Sequence, residues 1–352
     1  MGDAVTQGYR VVQWATGNIG ARSLRGVIEH PDLSLAGLHV YSPDKVGRDA
    51  GELCGLEPTG VLATMDIEEV LGLGADCVLY MPRACDMDDV CRVLESGINI
   101  VTTRGEFHHP GSMDAETRER VEAACRAGAT SIHSTGSSPG FISEAVPLVL
   151  TSIQRELESL VIEEFADLSR RDSPELLFDL MGFGADPGAF DQGRWSHGAQ
   201  SFGPTLRLLA DALSLPLDSV EATGEVAVAR RTMDIAAGRL EAGTVAAQRM
   251  RVVGRRRGRA LLSFVANWYC TSELEPAWDL GPTGWRLTVA GDAPLAIEMR
   301  FAVPLEDMGA FSPGYTANRA VNAVAVVCEA DPGIRTTVDL PQVIGTLRDA
   351  VR

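Results

Sequence analysis

Apolar positions fall into two textures along this chain. Over the first 150 residues, short apolar runs alternate with stretches of helical, amphipathic pattern. The runs predict strands at 9–15 (YRVVQWA), 35–41 (LAGLHVY), 75–81 (ADCVLYM), 98–103 (INIVTT) and 129–134 (ATSIHS). The amphipathic stretches predict helices over 18–30, 66–73, 87–97 and 113–128, the first stopped by Pro31. Strand and helix alternating through short connections predict a parallel, doubly wound sheet with right-handed crossovers.

Beyond residue 153 the strand-like runs follow one another directly, at 157–168, 219–235, 248–253, 260–271 and 285–303. Gly254-Arg255-Arg256-Arg257-Gly258 reads as a hairpin tip, and 204–213 is the one clear helix of this region. These features predict a second α+β domain built on a largely antiparallel sheet. From about Pro313 the helical pattern returns at 318–329 and 339–351, and this tail is expected to pack back onto the first domain. The expected domains are therefore 1–150, 151–312 and the returning segment 313–352.

Composition narrows the partners. Against 31 basic side chains stand 48 acidic ones, a formal net charge of −17, which disfavours nucleic acid and anionic lipid. No apolar run approaches the roughly 18 residues of a membrane span. The N-terminus lacks the layout of a signal peptide, so a cytoplasmic location is expected. Seven scattered cysteines form no CxxC pair, which argues against a disulfide framework and against a bound metal. No serine sits in a G-x-S-x-G elbow.

The chemistry begins where the first strand ends, at Ala15-Thr16-Gly17-Asn18-Ile19-Gly20. A glycine at 17 lets backbone approach a pyrophosphate, and one at 20 lets the helix pack closely on the strand. The amides of Asn18 and Ile19 then meet phosphate at the positive end of the helix dipole. Alanine at 15 costs only a methyl group provided its φ stays negative. Its place between a first strand and a first helix makes this turn a Rossmann dinucleotide-binding fingerprint. The second strand ends Val40-Tyr41-Ser42-Pro43-Asp44-Lys45, with no carboxylate at its tip to bind a ribose 2′-hydroxyl. Ser42, Lys45 and Arg48 can pair with a 2′-phosphate, so NADP(H) is favoured. NAD(H) stays open, because a loop turn could bring Asp44 to the ribose.

Gly47-Arg48-Asp49-Ala50-Gly51-Glu52-Leu53-Cys54-Gly55 with Thr59-Gly60-Val61 resembles dihydrodipicolinate reductases over the N-terminal domain. That family's dicarboxylate-binding histidine pair and lysine have no counterpart after the fifth strand, where the chain reads Ser134-Thr135-Gly136-Ser137-Ser138-Pro139-Gly140-Phe141. A fuller resemblance is to the 2,4-diaminopentanoate dehydrogenase and native amine dehydrogenase family. It rests on Val12-Gln13-Trp14-Ala15-Thr16-Gly17-Asn18-Ile19-Gly20, on Thr102-Thr103-Arg104-Gly105-Glu106-Phe107-His108-His109-Pro110 and on Thr135 to Phe141. Serine at 138 replaces the family's asparagine.

The resemblance implies an NAD(P)H-dependent oxidoreductase that interconverts a small aliphatic amine or diamine with its ketone or aldehyde plus ammonia. It makes Glu106 the catalytic acid/base, adds Met81, Pro82, Thr103 and Gly105 to the cofactor-binding set and implies a homodimer. Ser138 and Phe141 would border the substrate. Position supports Glu106 separately, because it lies just beyond the fourth strand, and ligands of such sheets bind at the carboxyl ends. His197, near Trp195, is a pocket candidate, and Asn318 is read as opening the returning helix and touching the cofactor amide. His108 and His109 could relay protons but read as surface loop residues, and Arg255 to Arg257 read as a solvated tip. Two alternatives remain at this stage: an imine or carbonyl reductase, and a non-catalytic NADP(H) sensor.

Overall fold

The computed structural model describes residues 8–190 and 192–347, without the side chains of Gln192, Arg194 and His197. It divides into two compact units, Met1–Phe141 with Pro313–Arg352, and Ile142–Ser312.

In the first unit the chain runs β1 (Tyr9–Trp14), α1 (Asn18–Glu29), β2 (Leu33–His39), α2 (Ala50–Leu53), β3 (Ala63–Thr64), α3 (Ile67–Leu71) and β4 (Cys77–Tyr80). It continues through α4 (Met87–Glu95), β5 (Asn99–Thr102), α5 (Ala115–Gly128) and β6 (Ser131–Ser134). With the later strand Gly333–Arg335, the spatial order is Gly333–Arg335, β6, β5, β4, β1, β2, β3, all parallel. This is the doubly wound Rossmann order, whose direction reverses between β1 and β4.

Helix starts follow local chemistry. Asp86 accepts from the amides of Asp88 and Asp89 to open α4, and Asp114 accepts from Thr117 to open α5. The buried faces of β1, β4, β5, α4 and α5 share a core containing Trp14, Val78, Tyr80, Val93, Ile100 and Ile132. The edge strands β3 and Gly333–Arg335 were not expected, since two or three residues are too short to show a period.

In the second unit, α6 (Val146–Thr151) leads into β7 (Leu157–Asp167), α7 (Gln192–Ala212), β8 (Ser219–Ala229), β9 (Met233–Ile235), β10 (Gly238–Leu240), β11 (Val245–Arg256) and β12 (Arg259–Tyr269). Then come β13 (Leu274–Glu275), β14 (Gly284–Gly291) and β15 (Leu295–Arg300). Seven strands form a sheet in the order β13, β8, β11, β12, β7, β14, β15, antiparallel except for β12 beside β7. The arginine-rich tip is a two-residue turn with φ of 51° at Arg257 and 74° at Gly258, which suits the twist of a hairpin. The predicted strands 219–235 and 285–303 each divide into two.

The helix expected over 204–213 is a single element from Gln192, because Phe202 and Trp195 bury its earlier turns. Phe202 stacks on Phe264 at 3.9 Å, and Trp195 lies over Gly224, where a side chain would collide with its ring. A cavity of about 610 Å³ lies in this unit, walled by Met181, Trp195, Phe202, Met250 and Trp268.

The tail holds α8 (Met308–Asn322), α9 (Val324–Cys328) and β16 (Gly333–Arg335). The helix expected over 339–351 does not form through residue 347; Pro341 drives Leu340 away from helical ψ, and Gly345 disfavours a restart. Residues 348–351 of that expectation lie outside the described residues.

Candidate active site

Strand register assembles the site. Trp14 pairs with Tyr80, Tyr80 with Thr102 and Thr102 with Ser134, so four strands end level with one another. Backbone bonds carry the alignment past the strand ends: Met81 donates to the Trp14 carbonyl at 3.1 Å and Thr135 to that of Thr102 at 2.9 Å. The turn 15–20, the buried pair Met81-Pro82, the segment 103–107 and the segment 135–141 therefore leave the carboxyl edge side by side. The β1/β4 reversal falls within this row.

The glycine turn has three distinct causes. Ala15 has φ +73°, so the condition under which an alanine there costs only a methyl group is not met: it sits in left-handed backbone. In that conformation its carbonyl faces Gly20. A Cβ on Gly20 would stand 3.0 Å from the Ala15 carbonyl carbon, nearer still to its oxygen, and 3.2 Å from Gln13 Nε2. Gly17 is different. Its backbone is extended (φ −71°, ψ −169°), open to any residue, and no atom lies within 4 Å of where its Cβ would be. Neither strain nor packing explains a glycine at 17, and the same vacancy surrounds Gly105. Both positions face open space.

Lys45 reaches back to this turn. Its Nζ donates to Thr16 Oγ1 at 3.0 Å, so a cation stands beside the prospective phosphate site. Ser42 is half-buried, whereas Asp44 and Arg48 are exposed. Asp49 is fully engaged: it accepts from the amides of Gly51 (2.7 Å), Thr59 (2.9 Å) and Gly60 (2.7 Å). Those donors, Thr59 foremost, hold its carboxyl below the usual range. The Asp49 to Gly60 motif is thus a loop closure. Sequence reasoning missed an aromatic cluster beside it, in which His39 stacks on Trp14 at 3.9 Å and the Trp14 indole donates to the exposed Tyr41 hydroxyl at 2.9 Å. The available signal was the spacing of His39 and Tyr41, two residues apart at a strand end.

Glu106 lies in a single 3-10 turn, Gly105–Phe107, anchored by fully buried Phe107. Its Oε1 accepts from Arg104 Nη2 at 2.7 Å, with both side chains about one-third exposed. Glu106 Oε2 and Arg104 Nε are buried and have no partner among the described residues. Thr135 Oγ1 and Ser138 Oγ, on the neighbouring segment, share that condition. Buried polar atoms are normally paired, so these atoms make this edge the candidate seat of a polar ligand. Burial and the nearby Glu106 charge push the Cys85 thiol up to about 12, which makes it a poor nucleophile.

Thr103 is half-buried at the mouth of the same segment. Phe141 faces Arg319, whose guanidinium carbon is 6.0 Å from the ring centroid. Asn318 does not open the returning helix: α8 begins ten residues earlier, at Met308, and Asn318 is exposed. The tail residue that meets the 135–141 segment is Thr316, whose hydroxyl is 2.7 Å from Ser137 Oγ; nothing in its sequence context marked it. His108 is 2% exposed, correcting the expectation of a surface residue, because it follows Phe107 into the core. His109 Nδ1 pairs with Ser112 Oγ at 2.7 Å. The side chain of His197 lies outside the described residues. Arg255 pairs with Glu221, and Arg256 donates to the Pro216 carbonyl, so the tip serves its own sheet.

Among known proteins, the model for the 2,4-diaminopentanoate dehydrogenase C-terminal domain matches residues 141–352. An amine dehydrogenase from Streptomyces virginiae is 29% identical over 350 residues, covering 94% of this chain and 95% of that protein. The 2,4-diaminopentanoate dehydrogenase of Acetoanaerobium sticklandii is 22% identical over 271 residues, 75% of this chain and 73% of its own. The fold is that of an amine dehydrogenase structure from Mycobacterium smegmatis, with a TM-score of 0.76, 21% identity and coverage of 96% and 97%. With a family match over more than half its length, the chain belongs to the 2,4-diaminopentanoate dehydrogenase family of Rossmann-fold amine dehydrogenases.

Proposed function

We propose that the protein is an NAD(P)H-dependent amine dehydrogenase that interconverts a small aliphatic amine or diamine with its ketone or aldehyde and ammonia, with Glu106 as acid/base. The observation that carries this reading is the buried, unpartnered Glu106 Oε2 at the carboxyl edge that also holds the glycine turn.

The cofactor fits the residues present. Gly17 leaves unexplained room where a pyrophosphate would approach, Thr16 and Lys45 flank it, and no carboxylate ends β2. Those features favour NADP(H) over NAD(H), because a lysine supports a 2′-phosphate that a carboxylate would repel. When bound, the nicotinamide supplies or accepts the hydride.

The remaining work is proton handling. Ammonium must lose a proton to become a nucleophile, the carbinolamine must lose water, and the resulting iminium carries positive charge. A carboxylate with one oxygen tied to Arg104 and the other unpartnered suits all three demands. Ser138 and Phe141 border the substrate in this reading, and Thr103 and Gly105 the nicotinamide.

The test is oxidation of NADPH and NADH with a panel of small ketones and aldehydes, with and without ammonium, for wild type and Glu106→Gln. Ammonium-dependent turnover should fall by about 10²–10⁴-fold in the variant while the protein stays folded. Ammonium-independent turnover, or an unimpaired variant, would overturn the assignment.

A further inference from the structure

The pair formed by Arg104 and Glu106 contains more than the acid/base itself. Arg104 is fixed at both ends. Its amide donates to Thr102 Oγ1 at 3.1 Å, and its carbonyl accepts from Ser134 Oγ at 2.7 Å. Thr102 Oγ1 in turn donates to the Tyr80 carbonyl at 2.6 Å, so the anchor reaches across three strands of the sheet. At the far end of the side chain, Nη1 donates to the Arg83 carbonyl at 2.8 Å and Nη2 to Glu106 Oε1 at 2.7 Å. The guanidinium is therefore a rigid strut between the loop after β4 and the carboxylate.

Without the strut, Glu106 has little to hold it. Its turn is three residues long, and the hydrogen bond from Arg104 is the one its carboxylate receives among the described residues. A glutamate on such a turn samples several rotamers, most of which carry its carboxylate away from a fixed reaction site. The ion pair is too exposed to contribute much to stability. Its value lies in choosing one rotamer and leaving Oε2, not Oε1, as the unpartnered acceptor.

We infer that Arg104 is a positioning residue for the reaction, acting through Glu106 by clamping Oε1 so that Oε2 alone takes and returns protons. This inference rests on the amine dehydrogenase reading of the site. It predicts a specific kinetic pattern. Arg104→Ala should lower kcat for ammonium-dependent turnover by about a hundredfold, the scale of an ångström-sized misplacement, while NADPH affinity and melting temperature stay near wild type. Added guanidinium ion should restore part of kcat in Arg104→Ala and none in Glu106→Gln. Arg104→Lys should retain more activity than Arg104→Ala, because it keeps a cation but loses the fork geometry.

The experiment is steady-state kinetics of wild type, Arg104→Ala, Arg104→Lys and Glu106→Gln, with a guanidinium titration and an NADPH binding titration on each. A lowered kcat rescued by guanidinium supports the assignment. Unchanged kcat in Arg104→Ala, or a loss accompanied by weaker NADPH binding and no rescue, overturns it. Absence of ammonium-dependent turnover in wild type would instead refute the underlying reading, so the two failures are distinct.

Discussion

Two glycines of one turn should respond in opposite ways to the same methyl group. At Gly20 the added Cβ would press on the Ala15 carbonyl, 3.0 Å from its carbon and 3.2 Å from Gln13 Nε2. Carbon atoms at van der Waals contact stand about 3.5–4.0 Å apart, so backbone must move by at least half an ångström. Overpacking of this kind costs about 1–3 kcal/mol, against which the better helix propensity of alanine returns up to about 1 kcal/mol. For a domain of this size the net loss corresponds to a melting temperature lower by a few degrees, at roughly 2–4 °C per kcal/mol. At Gly17 the added Cβ meets no atom within 4 Å, and the extended backbone accepts alanine, so the melting temperature should hold or rise slightly. The cost there appears only with cofactor, whose pyrophosphate would have to give up the same space. A clash of about 1–3 kcal/mol weakens NADPH binding by about 5- to 150-fold. Thermal unfolding and a nicotinamide-fluorescence titration of Gly17→Ala and Gly20→Ala separate the two effects. Wild-type NADPH affinity in Gly17→Ala would refute the ligand explanation of that vacancy. An undiminished melting temperature in Gly20→Ala would refute the packing explanation of the other.

Three further outcomes follow from the same region. Ala15 holds φ +73°, a conformation costing an alanine about 1–2 kcal/mol, so Ala15→Gly should raise the melting temperature by about 1–4 °C after glycine's entropy is subtracted; a lower value would contradict it. Lys45→Ala removes the cation beside Thr16 and should weaken NADPH more than NADH, and equal losses in paired titrations would count against the 2′-phosphate role. Burial pushes His39 below its ordinary 6.5, so on acidification the unfolded chain takes up a proton that the native state refuses. Stability should therefore fall as pH drops below 6.5, and His39→Phe should flatten that part of a urea-unfolding series, whereas parallel pH slopes would exclude His39 as the cause.

What could be read from the chain depended on how local each feature is. The strands of the Rossmann sheet were legible because a buried parallel strand favours a largely apolar run, which Cys77 to Tyr80 supplies and Val11 to Trp14 supplies apart from Gln13. Their parallel arrangement was legible through the alternation of strand and helix. The second half was harder: α7 begins twelve residues before its predicted start because Trp195 and Phe202 find their partners on distant strands, at Gly224 and Phe264. No local period reports such contacts. The site shows the same division. Gly17, Gly20 and Glu106 announce themselves by spacing from strand ends, whereas Thr316 reaches Ser137 across 179 positions and carries no mark of it. Spacing gave the glycines at 17 and 20 different roles but did not reveal the left-handed backbone of Ala15. The surrounding atoms show a glycine demanded by packing at 20 and one that the fold could replace at 17. The second kind is the one whose substitution tests the cofactor assignment, because an alanine there meets no atom of the fold.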